Sequence, residues 1–411
     1  MKRFAALDAL RGLAAASVLF AHVRNVFVQH HTPLDLTPLF LFWAGGEAVI
    51  LFFVLSGMVL VQRARHGAPQ PWPAFLAGRF MRVGAPHILV AVCCVIASSL
   101  TATLGLAQNH PMHWPQEING WVVLGQLLMV PDFDNMVFND VVWTLIHEMR
   151  FALLFPCFCL VFARWGVRSA LLGLWVLSLL AAGFVTLFGD PSAGFKTSYV
   201  HTAHYLLIFG LGAALVTQFD TWRSRVLSLS ASQRVWLVVM ALLVYAYARM
   251  VYLIPQKLGW RELATFNAFV ADWFVALAAC ALMLAATSFE RMRNLLERRP
   301  FQYLGEVSFS LYLVHIPVMK VVFSLMPQAA TLTAVVVALP LIAAVTHLFH
   351  RGVERPAQQL GRTWARHVEA MLARRRTAEP SRWLLDDEND LVLAAGSEGA
   401  SHPEAAHHHG Q

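Results

Sequence analysis

Apolar runs of roughly 17 to 24 residues recur along most of this chain and limit the folds that it can adopt. An α-helix rises about 1.5 Å per residue, so about 20 apolar residues cross the roughly 30 Å hydrocarbon core of a bilayer. Charged residues make up 13% of the 411 residues, about half the share that is usual in soluble domains. We therefore predict an all-α polytopic membrane protein with about ten transmembrane helices. The predicted spans are roughly 7–28, 39–62, 83–106, 141–163, 169–189, 202–218, 235–254, 264–286, 304–325 and 333–350.

The Lys and Arg residues between the predicted spans indicate how the chain is oriented in the membrane. They concentrate in alternate loops, whereas the segment 107–140 contains neither residue type. By the positive-inside rule, both termini and the Arg-rich loops face the cytoplasm, as in a multi-pass protein of the plasma or inner membrane. The formal net charge of +7 follows from this topology, so we predict no nucleic-acid partner. The loops after the second and eighth spans contain Arg63, Arg65, Arg79, Arg82, Arg291, Arg293, Arg298 and Arg299.

Composition divides the chain into three parts. Residues 1–355 contain all the predicted spans and form the transmembrane domain. Residues 356–376 are rich in Arg and predict a basic interfacial helix that contacts anionic membrane lipids. Residues 377–411 are acidic and contain Gly, Ala and Ser, which predicts a disordered cytoplasmic tail. The apolar stretch 116–130 is too short to cross the bilayer and predicts a segment at the outer interface.

The first predicted span carries two ionisable residues. A charged side chain at the centre of a bilayer costs about 2.5 kcal/mol or more, so Arg11 marks a candidate functional site. His22 follows eleven positions later, which at about 100° per residue returns it to nearly the same helix face. The two residues are then separated by about 16 Å along the helix. This face combines a fixed cation near one membrane surface with a titratable base deeper in the membrane.

Ionisable residues in two further spans predict a catalytic cluster toward the outer side. Placed by helix rise, Glu47 of the second span and Glu148 of the fourth lie about 12 Å below the outer surface. His22 lies at a similar depth, about 9 Å from the outer end of its span. We predict that His22 is the general base and that Glu148 or Glu47 orients its imidazole. Ser56, followed by Gly57, predicts a close helix contact rather than a nucleophile, because no base is predicted beside it.

Three Arg residues are predicted to gather at the cytoplasmic end of the same bundle, namely Arg11, Arg79 and Arg82. A guanidinium group binds phosphates through paired N–H donors, and acyl-CoA carries such phosphates. The layout therefore predicts transfer of an acyl group from a cytoplasmic acyl-CoA to an acceptor on the far side. No metal is expected, since the five Cys residues lie in apolar runs without the spacing of a metal site.

Seven short motifs, in the same order along the chain, resemble a known family. Over about residues 5–360 the chain resembles the integral-membrane acyltransferase-3 family of O-acyltransferases. Each motif is weak by itself, and their common order makes the resemblance specific. The motifs are Leu7-Asp8-Ala9-Leu10-Arg11-Gly12 with His22, Phe52-Phe53-Val54-Leu55-Ser56-Gly57, Arg79-Phe80-Met81-Arg82 with Pro86, Trp143-Thr144-Leu145 with Glu148, Tyr303-Leu304-Gly305, Ser308-Phe309-Ser310-Leu311-Tyr312-Leu313-Val314-His315 with Pro317, and Glu354-Arg355-Pro356.

The resemblance implies transfer of an acyl group, usually acetyl from acetyl-CoA, to a hydroxyl of an extracytoplasmic or lipid-linked glycan. By matching motif position, it implies that His22 is the catalytic base and that Arg11 is its companion on the first helix. It also implies that Arg79 and Arg82 meet the donor. The expected ligands are therefore acyl-CoA and a glycan or glycolipid, within membrane lipid.

Other motif positions carry no assigned role or depart from the family pattern. Glu148 matches the acidic position of the fourth helix, and Tyr312 and His315 match the ninth-helix motif without an assigned role. Met149 stands where members often have a second acidic residue, and His147 replaces a commonly aliphatic neighbour. The polarity around Glu148 is therefore expected to differ from that of other members.

Two alternative functions use the same residues differently. A proton-coupled transporter would also need buried Arg, His and Glu, but the chain shows no visible internal repeat. His30 and Asp35 match the His-x4-Asp spacing of glycerophosphate acyltransferases. They fall in a predicted outer loop, away from a cytoplasmic donor, which weighs against this second alternative.

Overall fold

A computed structural model of the chain describes residues 5–28, 32–66, 71–106, 112, 114 and 119–378. These residues form helices and no strands, so the prediction of an all-α protein is confirmed. A helix satisfies its own backbone hydrogen bonds, which suits apolar segments in lipid. The helices are α1 (Ala5–Phe27), α2 (Gly45–His66), α3 (Trp72–Arg79), α4 (Ala85–Thr103), α5 (Gly120–Leu128), α6 (Val142–Phe188), α7 (Tyr199–Thr217), α8 (Phe219–Leu227), α9 (Ala231–Tyr247), α10 (Leu253–Lys257), α11 (Arg261–Ser288), α12 (Glu290–Leu296), α13 (Arg299–Leu325), α14 (Thr331–Phe349) and α15 (Arg355–Ala378).

The longest helix, α6, reverses direction near its middle. Its 47 residues would extend about 70 Å if straight, more than twice the thickness of a hydrocarbon core. Gly166 interrupts it with φ 74° and ψ 167°, a backbone conformation that glycine adopts at little steric cost. Arg150, near the start of α6, donates hydrogen bonds to the carbonyl oxygens of Thr197 and Ser198, which follow its end. The two halves of α6 are therefore antiparallel.

The spans of the described residues agree with the sequence prediction. Nine of their helices are long and apolar enough to cross a membrane. Because α6 folds back at Gly166, it accounts for the two predicted spans 141–163 and 169–189. The prediction of a polytopic membrane protein is confirmed. With α6 counted twice, the nine helices of the described residues cross the membrane ten times. This even number places the start of α1 and the end of α14 on the same side, in agreement with the positive-inside rule.

Two pairs of helices are continuous through a π turn, a segment with wider backbone hydrogen bonding that is frequent at functional sites. The turn Phe80–Gly84 joins α3 to α4, and the turn His350–Glu354 joins α14 to α15. Helix α15 packs against α3. An ideal Cβ on Gly361 of α15 would lie 2.9 Å from the carbonyl oxygen of Gly78 in α3, so the two backbones meet closely.

The segments predicted outside the spans have mixed outcomes. The predicted basic helix, 356–376, falls within α15, which continues α14 and packs on protein; its contact with lipid stays a prediction. The predicted disordered tail lies, from residue 379 onward, outside the described residues. Within the predicted interfacial stretch 116–130, the described part forms the nine-residue helix α5.

Glycines allow two pairs of long helices to touch at the backbone. An ideal Cβ on Gly212 of α7 would lie 1.9 Å from the carbonyl oxygen of Val54 in α2, and one on Gly57 would lie 2.0 Å from that of Phe209. Small residues of this kind permit close packing of membrane helices. The contact predicted for Ser56-Gly57 is thus present.

Helix α13 lies in the interior of the bundle and brings the ninth-span motif against the first helix. Of its most apolar 18-residue window, 83% is buried. An ideal Cβ on Gly12 of α1 would lie 2.5 Å from the backbone nitrogen of Gly305 in α13. This backbone contact holds the side chains of Arg11 and Ser308 next to each other, and both line the cleft described below.

Candidate active site

A cleft opens at the predicted cytoplasmic end of the bundle. Its walls come from α1, α2, α3, α6, α13 and α15 and from both π turns. The three Arg residues that the sequence predicts for donor binding all line it. Its polar and charged lining residues are Asp8, Arg11, Ser56, Arg79, Arg82, Thr144, Glu148, Ser308, Tyr312, Glu354 and Gln358.

Arg79 and Glu148 form an ion pair in the wall of this cleft. The Arg79 Nη2 donates to Glu148 Oε1, which also accepts a 3.3 Å hydrogen bond from the Ser56 hydroxyl. The Nε of Arg79 is buried and has no hydrogen-bond partner among the described residues. Arg79 stands at the last position of α3, directly before the π turn that contains Arg82. The cleft thus contains a guanidinium group with unused donor capacity.

Arg11 joins α1 to α13 and also faces the cleft. Its Nε donates to the Ser308 hydroxyl at 2.9 Å, and its Nη2 donates to the Gly305 carbonyl oxygen at 2.9 Å. Asp8, one turn earlier, lies 3.5 Å from Nη2, and the Arg11 side chain remains 31% exposed. Its charge is therefore held at a fixed position in the cleft by two neutral acceptors as well as by Asp8.

Two histidines from different helices contact each other just past the deepest part of the cleft, within the bundle. The Nδ1–H of His22 donates to the Val18 carbonyl oxygen at 2.8 Å, and this Nδ1 lies 3.3 Å from Nε2 of His315. The Nδ1–H of His315 donates to the Leu311 carbonyl oxygen at 2.9 Å. A neutral imidazole carries one proton, so in the neutral state both Nε2 atoms are acceptors. His22 thus has an unprotonated Nε2, as a general base requires.

Tyr312 separates the cleft from the histidine pair. Its ring is 5.5 Å from the Phe52 ring and 6.2 Å from the His315 ring, measured between centroids. Its hydroxyl lies 2.8 Å from the Thr144 hydroxyl and donates to the Val141 carbonyl oxygen at 3.2 Å. The two residues that the ninth-span motif singled out, Tyr312 and His315, therefore lie between the cleft and His22.

A second cavity lies on the opposite side of the Tyr312 and His315 layer. It opens toward the predicted outer face, and His22 is in its wall. Asp140 is also in this wall, with its Oδ1 3.8 Å from the Lys320 ammonium group. The other lining residues are Asn25, Val26, Met112, Met136, Trp143 and Phe195. The sequence prediction did not single out Asp140 or Phe195, although Asp140 lies three residues before Trp143 in an acidic outer segment.

Glu47 lies apart from both His22 and Glu148. It is buried and pairs with Arg249 at 3.4 Å, and Arg249 in turn pairs with Asp272 at 2.6 Å. The three residues that helix rise places at a similar depth thus belong to three clusters, since Glu148 faces the inner cleft and His22 faces the outer cavity. Depth alone does not determine which side of a helix a residue occupies.

Asp35 is the carboxylate of the His-x4-Asp spacing that suggested a glycerophosphate acyltransferase, and its contacts give it a structural role. Asp35 accepts hydrogen bonds from the Trp43 indole at 2.8 Å and the Thr32 backbone N–H at 2.7 Å, and it pairs with Arg24. It therefore holds an outer loop together, while His30 lies outside the described residues. The part of the chain that the structure describes contains no group of three or more His, Cys, Asp or Glu side chains that could hold a metal ion.

The fold defines a polytopic helical membrane protein with a cleft at its predicted cytoplasmic end and a cavity beside His22 on its predicted outer side. A family model described as an acyltransferase domain, that of acyltransferase-3, matches residues 4–351. The chain belongs to this family, and it is an acyltransferase that transfers groups other than amino-acyl groups. The resemblance seen in the sequence is confirmed, and acyl transfer replaces the transporter alternative. No curated protein and no solved structure gives a significant match to the chain.

Proposed function

We propose that the protein transfers an acetyl group from cytoplasmic acetyl-CoA to a hydroxyl of an extracytoplasmic or lipid-linked glycan in the plasma or inner membrane. One observation carries this proposal. The Arg-lined cleft and the outer cavity meet from opposite sides at the Tyr312, His315 and His22 layer. Donor and acceptor can therefore approach this layer from opposite sides without either one crossing the membrane, the donor on the Tyr312 side and the acceptor on the His22 side.

The inner cleft suits the phosphates of the donor. Arg11, Arg79 and Arg82 supply positive charge, and guanidinium groups donate charge-assisted hydrogen bonds to phosphate oxygens. Glu148 holds Arg79 in place in this proposal, rather than orienting His22 as the sequence suggested. The distance from Arg11 to His22 along α1 is about 16 Å, on the order of the length of a pantetheine arm.

His22 performs the proton transfer in the proposed reaction. Its Nε2 takes the proton from the acceptor hydroxyl while the hydroxyl oxygen forms a bond to the acyl carbon. The carbon–sulfur bond breaks, and the leaving thiolate takes up the proton that the imidazolium releases. The Nδ1–H of His22 lies between two acceptors, the Val18 carbonyl oxygen and Nε2 of His315, and this leaves Nε2 of His22 as its unprotonated nitrogen.

Transfer can be tested with the full chain in proteoliposomes. Radiolabelled acetyl-CoA is added together with a glycan fraction extracted from the cell envelope of the source cells. We expect label in the glycan fraction, and its release by mild alkali, because an O-acetyl ester is alkali-labile. Absence of label from the glycan and lipid fractions, with the protein folded and acetyl-CoA intact, contradicts the proposal.

Replacing Arg79 with Ala is expected to weaken acetyl-CoA binding by about 10- to 100-fold, the usual worth of a hydrogen bond to a charged group. The acceptor KM should change little, because Arg79 lines only the inner cleft. Binding is measured by equilibrium dialysis of labelled acetyl-CoA. Arg168→Ala is the matched control, since Arg168 is exposed on the same predicted side. Equal loss of affinity in both variants is the contrary result.

A further inference from the structure

Three of the described residues in the wall of the outer cavity have polar side chains. His22 and Asn25 belong to α1, and Asp140 belongs to the loop before α6. Asn25 follows His22 by three positions, so the two share one helix face and lie about 4.5 Å apart along it. A few convergent polar groups in a mostly apolar cavity are typical of a site that binds a small molecule in one orientation.

The carboxylate of Asp140 is available to a ligand. Its side chain is 24% exposed, and the Lys320 ammonium group lies 3.8 Å from its Oδ1, longer than a hydrogen bond. Lys320 instead donates to the backbone carbonyl oxygens of Met136 and Val137, at 3.4 and 3.2 Å. No described residue donates a hydrogen bond to the Asp140 carboxylate. Both of its oxygens can therefore accept from a ligand.

The amide of Asn25 is exposed at the same cavity. It makes no hydrogen bond within the part of the chain that the structure describes. An amide donates through its nitrogen and accepts through its oxygen, whereas an ionised carboxylate only accepts. A hydroxyl group both donates and accepts, so neighbouring hydroxyls can donate to Asp140 and exchange hydrogen bonds with Asn25.

Buried Asn135 fixes the loop of Asp140 to the loop of Phe195. Its Nδ2 donates to the Asp140 carbonyl oxygen at 3.3 Å, and its Oδ1 accepts from the Phe195 backbone N–H at 2.9 Å. An ideal Cβ on Gly194 would lie 2.6 Å from the same Oδ1, so glycine allows this close contact. The Asn135 side chain is fully buried. The two loops are therefore arranged before a ligand binds, as in a pre-formed site.

Two aromatic rings form another part of the cavity wall. The rings of Trp143 and Phe195 have centroids 5.6 Å apart and stand nearly perpendicular, at 81°. Phe195 is exposed, so its ring is accessible from the cavity. Flat apolar surfaces of this kind suit the C–H face of a sugar ring. The cavity thus combines an apolar surface with groups that bind hydroxyls.

Charge distinguishes between kinds of sugar at this site. Among the described wall residues, Asp140 carries the one fixed charge, and none is Lys or Arg. Lys320 offsets part of this charge, but it is buried and lies outside that wall. A carboxylate or phosphate on the ligand would meet a like charge, which costs affinity. Neutral hydroxyls instead gain charge-assisted hydrogen bonds from the carboxylate.

We propose that Asp140 and Asn25 bind adjacent hydroxyl groups of an electrically neutral sugar. The sugar ring packs on Trp143 and Phe195, and a further hydroxyl reaches His22. This inference rests on the proposed function for the presence of an acceptor in the cavity. It adds the charge class of that acceptor, a neutral sugar rather than an acidic or phosphorylated one. Asp140 and Asn25 select and position the acceptor, while His22 performs the proton transfer.

The test is binding of two labelled sugars to the full chain in lipid nanodiscs, measured by equilibrium dialysis with no donor present. Methyl glucoside and methyl glucuronide differ only at C6, which is a hydroxymethyl group in the first and a carboxylate in the second. We expect methyl glucoside to bind at least about 10-fold more tightly. Asp140→Asn should weaken methyl glucoside binding about fivefold and remove the preference, because it replaces charge-assisted hydrogen bonds with neutral ones.

Asp134→Asn is the matched control for charge. Asp134 lies in the same loop but is not among the described residues of the cavity wall. Its Oδ1 accepts from the Met136 backbone N–H at 3.0 Å, a bond that the amide oxygen of Asn can also accept. Both the affinity for methyl glucoside and the preference over methyl glucuronide should remain unchanged.

Asn25→Ala tests the same site without removing a member of an ion pair. It should weaken methyl glucoside binding about fivefold, the worth of one neutral hydrogen bond, and keep the preference, since Asp140 remains. The proposal is overturned if the native chain binds no methyl glucoside or binds both sugars equally. It is also overturned if Asp140→Asn keeps the preference, if Asp134→Asn loses it, or if Asn25→Ala binds as the native chain does.

The dialysis contains no acetyl-CoA, so its result is separate from that of the transfer assay. Failure of the dialysis test, with label still transferred to the glycan fraction, would overturn the neutral-sugar site alone. A preference that depends on Asp140, without any transfer of acetyl, would support the sugar site and contradict the proposed donor.

Discussion

Replacing His22 with Ala is expected to lower acetyl transfer by about 10²- to 10⁴-fold, the usual contribution of a positioned general base. The loss follows from geometry, since the hydrogen bonds of its Nδ1 leave Nε2 unprotonated at the outer cavity. The measurement is kcat with saturating labelled acetyl-CoA and the acceptor fraction. Binding of acetyl-CoA should be unchanged, because His22 does not line the inner cleft.

His347→Ala is the control for this variant. His347 lies in α14, where its Nδ1 meets the Tyr303 hydroxyl at 2.7 Å, and it lines neither of the two cavities described above. It should retain near-normal turnover and folding. If His22→Ala keeps more than about a tenth of the kcat, proton transfer belongs to another group. If it loses acetyl-CoA binding as well, His22 is supporting the structure rather than the reaction.

Replacing Gly212 with Leu is expected to destabilise the bundle by about 3 kcal/mol or more, at the upper end of the cost of overpacking. The ideal Cβ already lies 1.9 Å from the Val54 carbonyl oxygen, so even the first added carbon forces α7 away from α2. The flexible end of a side chain could move aside, whereas the backbone of α2 cannot do so locally. Thermal unfolding of the purified protein in detergent measures the effect.

Gly173→Leu is the matched substitution in α6. Gly173 is exposed, and an ideal Cβ there meets no atom within 4 Å. Leu is a better helix former than Gly by roughly 0.5–1 kcal/mol, so this variant should be as stable as the parent or slightly more so. Similar unfolding temperatures for both variants would mean that the contact between α2 and α7 is looser than the structure indicates.

Much of the fold could be predicted because lipid restricts a chain to few solutions. Apolar runs of sufficient length become helices, and the Arg distribution between them indicates their direction. The reversal within α6 follows the same reasoning, since the two predicted spans meet at Gly166. The π turns beside Arg79 and before Arg355 were not predicted, because their backbone hydrogen bonding has no clear mark in composition.

The candidate site was predictable in part. The positive-inside rule placed the Arg residues near one membrane surface, and Arg11, Arg79 and Arg82 do line one cleft. Depth estimated from helix rise grouped Glu47 with His22, but Glu47 faces Arg249 instead. Depth follows from position along one helix, whereas the direction in which a side chain points depends on how the helices pack around each other.

The sequence by itself determined the helical membrane class, the acyltransferase-3 family and the candidate residues, because each of these depends on local pattern along the chain. Only the tertiary structure decided which residues meet. The contact of His22 with His315, the pairing of Arg79 with Glu148, and the Asn135 side chain between the loops of Asp140 and Phe195 each join distant segments. Such contacts depend on close helix crossings at glycines and on loops held together by buried Asn135, and these are properties of packing rather than of any single segment.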